Sequence, residues 1–145
     1  MAIQLTAEDA RQSLGAHAAS KGTDLREKYG PTIGWTEIKR ILSDRTCVRY
    51  PCELAFDAGP LVPGEFACPI PRGEQPEEGF TIAVHPHFAM RLDEVAWLVL
   101  YQIVAVNYGD FASADDAEAF GAAALGITRD AYYDFLCERA DELGA

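Results

Sequence analysis

Between Val95 and Val106 every residue except Gln102 is apolar or aromatic. A membrane span needs about 20 such residues, so this run is too short to be one. As a helix it is apolar nearly all round, which is the pattern of a rod buried in the core. Asp93 or the residues just before it start the helix, it runs to about Asn107, and Gly109 stops it. The rest of the 145-residue chain has to supply the layers that cover the rod.

Helical signals lie on both sides of a stretch with a different period. Thr6 and Asp9 form a capping box, Ala7, Ala10, Leu14 and Ala18 make one apolar stripe, and Gly22 ends that helix. A separate short turn covers Leu25 to Tyr29 and stops at Gly30-Pro31. Thr36 caps a further helix in which Ile38, Ile41 and Leu42 share a face. From Val48 to Asp57 the period becomes two, with Val48, Tyr50, Cys52, Leu54 and Phe56 on one side, a half-buried strand. Pro51 cannot donate to a ladder, so this strand lies at an edge or carries a bulge. Phe66, Cys68 and Ile70 alternate again, 71–79 is a loop, and Phe80, Ile82 and Val84 make the last strand. Ser113 with Asp116 caps a helix ending at Gly126. Thr128 caps the final one, where Tyr132 and Tyr133 straddle the boundary of the apolar face and Gly144 closes it. The expected fold is α+β in one domain over 1–145, a small antiparallel sheet of about three strands packed on a central buried helix with flanking helices.

Half of the residues are apolar and 24% are charged, an ordinary globular balance, while the net charge is −11. That charge argues against nucleic acid and membrane surfaces as partners. The charge is uneven: residues 1–50 carry 8 basic and 6 acidic groups, whereas 51–145 carry 4 and 17. Either the later helices have acidic solvated faces, or the two parts pack together, or one side favours basic ligands. Cys47, Cys52, Cys68 and Cys137 are too few and too irregular for a disulfide framework. Cys47 and Cys52 fall on opposite faces of one strand, and Cys52, Cys68 and Cys137 read as small core residues. The opening residues have no basic region followed by an apolar one, so a cytoplasmic location is expected.

The chain lacks Gly-x-Ser-x-Gly, the phosphate-cradling Gly-x-x-x-x-Gly-Lys and the dinucleotide fingerprint Gly-x-Gly-x-x-Gly. The acid pairs Glu77-Glu78 and Asp115-Asp116 serve solvation and the helix dipole. His17 is a lone helical residue. His85 and His87 would project to the same side of an extended strand, where two imidazoles can chelate a divalent metal once a third donor, Glu118 or a cysteine, joins them. Their alternative is a polar pair on the exposed face of an edge strand.

Residues 80–127 place a strand, the buried helix and a capped helix in succession. In layout this segment resembles the core of the zincin metallopeptidases, in which a buried helix carries His-Glu-x-x-His, a following helix supplies a glutamate ligand in one branch, and the preceding strand is an edge strand. The resemblance puts Tyr101 where the first histidine ligand would be, Gln102 at the general base and Ala105 at the second histidine; Glu118 alone keeps a matching type. Alanine has no donor atom and glutamine is a poor base for a metal-bound water, so the likeness implies a zincin-like scaffold without zincin chemistry. Any buried helix followed by a capped one shares this layout.

Gln102 needs hydrogen-bond partners inside an apolar helix or costs about 1–3 kcal/mol. Tyr101 is its neighbour, and Glu94 and Tyr108 each lie one heptad from Tyr101. With Asn107 these residues outline a polar cleft beside the sheet, or else a network that ties the helix to its surroundings. The function expected is non-catalytic binding of a protein or small ligand, with no cofactor implied. The alternatives are a metal-dependent hydrolase using His85, His87 and Glu118, and a structural subunit that assembles through the apolar face of its last helix.

Overall fold

The computed structural model describes the backbone of residues 7–144 and side chains from Leu14 to Gly144. The Thr6–Asp9 capping box and the side chains of Ala7 and Ala10 lie outside the described residues. Five α-helices are present among the described residues: α1 (Ala7–Tyr29), α2 (Trp35–Leu42), α3 (Leu92–Tyr108), α4 (Ala114–Leu125) and α5 (Arg129–Glu142). The strands are β1 (Cys52–Phe56), β2 (Ala67–Pro71) and β3 (Phe80–Val84). The fold is α+β, as the change of period predicts.

The rod is α3. Val95, Ala96, Leu98, Val99, Leu100 and Ile103 are fully enclosed along it. Its neighbours are α2, α4, β2 and β3, so sheet and helices cover different sides of one helix. Gly109, at φ 60°, ends it in a backbone region that glycine enters without strain. No helix among the described residues is long and apolar enough to cross a membrane.

Gly22 does not end the first helix, which continues unbroken to Tyr29. A Cβ at Gly22 would come within 2.3 Å of the Phe120 carbonyl oxygen and 2.9 Å of the Ala123 Cβ. The missing side chain lets the backbones of α1 and α4 approach closely, and that packing outweighs the ~1 kcal/mol helix-propensity cost of glycine. At α2 the cap is also misplaced by the local pattern. The helix begins after Gly34, not Thr36, because Glu37 Oε1 accepts from the Gly34 N–H at 2.9 Å and Asp93 Oδ1 accepts from Trp35 N–H at 3.1 Å. Half of that cap comes from α3, 58 residues away. The predicted caps at Ser113 and Thr128 form as read, accepting from Asp116 and Ala131 N–H at 3.2 and 3.1 Å.

The sheet has the order β1-β3-β2 and is mixed rather than antiparallel. β2 and β3 pair antiparallel, with Ala67 opposite Val84, while β1 runs parallel to β3, with Cys52 opposite Phe80. Two chain reversals separate β1 from β3, so their directions agree, and alternation within a strand carries no information on strand order. The strand resembling a zincin edge is therefore the central one. β1 and β2 are the edges, where Pro51, Pro69 and Pro71 are tolerated. The ladder of β1 is shorter than its alternating pattern because Asn107 Oδ1 holds Arg49 N–H at 2.8 Å and directs the chain before it enters the sheet.

Candidate functional site

Gln102 is 5% exposed, yet its amide is not an orphaned buried group: Arg139 Nε is the one fully enclosed side-chain polar atom without a partner among the described residues. With Tyr101, Gln102 lines a cleft of about 420 Å³ between β2, α3, the start of α4 and α5. The walls are apolar at Phe66, Ala67, Pro69 and Leu136, and polar at Gln102, Tyr101, Glu118 and Tyr133. The Tyr101 ring meets Phe66 edge-on at 5.9 Å, which fixes its orientation. Burial, and then the nearby carboxylates of Glu118 and Asp115, push the Tyr101 phenol up, so it presents a neutral hydroxyl at neutral pH. Glu118 lies 3.5 Å from Arg129 Nη2, and the same nitrogen reaches Asp115 at 3.1 Å. One carboxamide, the phenols of Tyr101 and Tyr133 and the carboxylates of Glu65 and Glu118 thus border a largely apolar space.

Cys68 and Cys137 also line this cleft, and all four cysteines are free and half-buried rather than core residues. Burial, with a smaller contribution from Glu65, pushes the Cys68 thiol up and keeps it protonated. Cys47 is not on a strand. It sits in the turn before β1, with its sulfur 3.6 Å from Asp44 Oδ2.

The five residues of the expected cleft do not meet. Positions 94 and 108 are about 21 Å apart along a helix at 1.5 Å per residue, too far to share one small site. Heptad positions also drift by about 20° per repeat on a straight helix. Glu94 joins an ionic cluster at the start of α3, taking Arg139 Nη1 at 2.7 Å and pairing with Arg91. Asn107 uses its amide structurally, accepting from Arg49 N–H at 2.8 Å and donating to the Cys47 carbonyl at 2.9 Å. Tyr108 borders a different cleft of about 530 Å³, where His17 meets its ring edge-on at 5.8 Å.

The histidine pair does not lie on an extended strand, since β3 ends at Val84 and a 3-10 turn covers Pro86–Phe88. The rings are 6.4 Å apart, His85 Nδ1 accepts from His87 N–H at 3.1 Å, and His87 Nε2 is 3.1 Å from Glu142 Oε1. Neither lines the cleft that holds Glu118. Among the described residues no three His, Cys, Asp or Glu side chains converge to hold a metal. Local spacing could not reveal the contributions of Cys68 and Cys137, because β2 and α5 meet only in the folded chain. Comparisons with family models, with curated proteins and with solved structures returned no match.

Proposed function

We propose that the protein is a cytoplasmic, non-catalytic binding domain that holds a small ligand in the cleft beside Gln102. The observation that carries this reading is the position of Gln102, a carboxamide residue 5% exposed that lines a largely apolar cleft. A bound ligand carrying a complementary donor and acceptor would exclude solvent from this amide and take its place as hydrogen-bond partner. The ligand class that fits is a carboxamide or peptide-like group on an apolar body, with the ring walls of Phe66 and Tyr101 taking the apolar part. Four free cysteines suit a reducing compartment. If the scaffold is zincin-like, Gln102 and Ala105 replace its base and one of its ligands, and binding is what the frame retains.

Benzamide is the probe that tests this. Titrated into labelled protein and followed by NMR, it is expected to shift the resonances of Tyr101, Gln102 and Glu118 saturably. In Gln102→Leu those shifts should shrink about tenfold in affinity. Shifts that are absent in the wild-type chain, or unchanged in the variant, would overturn the reading.

A further inference from the structure

We propose that the second cleft, between α1 and α3, binds a small amphipathic carboxylate. Its floor is apolar, formed by Leu25, Val104 and Phe120, each at most 3% exposed, and its volume is about 530 Å³. Its rim is cationic, with Lys21, Lys28 and Arg49 against one acid, Asp24, among the described residues. Lys28 is neutralised by Asp44 at 2.5 Å, so among the described residues Lys21 and Arg49 against Asp24 leave one net positive charge, which matches a monoanion.

The cations are not incidental to an acidic surface. In a chain of net charge −11, all four basic residues after position 50 sit on carboxylates: Arg72, Arg91, Arg129 and Arg139. Lys21 and Arg49 have no carboxylate partner among the described residues, as is also true of Arg26, Lys39, Arg40 and Arg45, so the free cations all lie in the first 50 residues. Arg49 is also held in place before any ligand arrives. Its N–H bonds Asn107 Oδ1 at 2.8 Å and its Nη1 donates to the Asn107 carbonyl at 3.1 Å, leaving the other guanidinium donors for an anion. The uneven charge along the chain thus has a place in space, since every cation of this rim comes from the first 50 residues.

Octanoate, octanol and octylamine share one apolar body and differ in head group, so they separate the charge from the hydrophobic contribution. Calorimetry is expected to give octanoate about tenfold tighter binding than octanol, with octylamine weaker than both. Octanoate should shift NMR resonances of Tyr108 and Val104, not Tyr101. Lys21→Gln and Arg49→Gln should each bring octanoate towards the affinity of octanol while octanol itself is unchanged. Lys21 is exposed, so its variant keeps the fold even if the loop at Arg49 loosens. Gln102→Leu should bind octanoate like the wild-type chain, which separates this cleft from the one proposed above. Equal affinities for octanoate and octanol, wild-type octanoate affinity in both charge variants, or shifts centred on Tyr101 would overturn the proposal.

Discussion

A leucine at position 102 would extend the apolar surface of α3 with little change in volume. In most buried polar positions such a change breaks a network and destabilises the fold. Here the amide lines a cleft and is not an orphaned buried group, so replacing it relieves no desolvation penalty. Gln102→Leu is therefore expected to leave the stability of the ligand-free protein within about 0.5 kcal/mol, read as an unchanged midpoint in urea at unchanged slope. A lower midpoint would mean that Gln102 ties the helix in place. The residue stands out in the sequence because it alone interrupts the apolar run. Its companions do not: Glu94 and Asn107 look equally available on a helical projection, but Arg139 and the Arg49 N–H claim them from segments distant in sequence.

Elements were readable wherever their signals were local. The caps at Ser113 and Thr128, the stop at Gly109 and the burial of α3 all depend on residues within a few positions of one another. The errors at Gly22 and Thr36 have one cause, a determinant supplied by another element. For Gly22 it is the backbone of α4, and for α2 it is the carboxylate of Asp93. This makes Gly22→Ala informative, because the two effects of the substitution oppose each other. Alanine improves helix propensity by about 1 kcal/mol. Its Cβ, however, would lie 2.3 Å from a backbone oxygen that cannot rotate away. Overpacking of this kind costs about 1–3 kcal/mol, so net destabilisation is expected, measured by chemical denaturation. A stabilised Gly22→Ala would show that α1 and α4 are not held this closely.

At the scale of the whole molecule, strand order and ionic pairing were the parts hidden from the sequence, because both depend on which distant segments become neighbours. The charge asymmetry was visible, but its arrangement around one cleft and one ionic cluster was not. That cluster joins the start of α3 to the end of α5. Glu142 takes Arg91 Nη1 at 2.5 Å and Nη2 at 2.9 Å, and also Arg139 Nη1 at 2.9 Å. Hydrogen bonds from Arg91 and then His87 hold the Glu142 carboxyl at about 2, below its ordinary 4.5. A carboxyl lowered on folding stabilises the protein fully above its unfolded value, and the contribution is lost as pH falls through the folded one. Glu142→Gln removes that titration and keeps the shape of the side chain. The wild-type chain should melt above the variant by a constant margin at pH 6 and above, and the margin should narrow from pH 4.5 and close near pH 2. Carboxylates outside the cluster titrate alike in both proteins and cancel in the difference, so thermal melts of the pair across this range report on the cluster that Glu142 completes. A margin that does not depend on pH would mean that Glu142 acts through packing rather than charge.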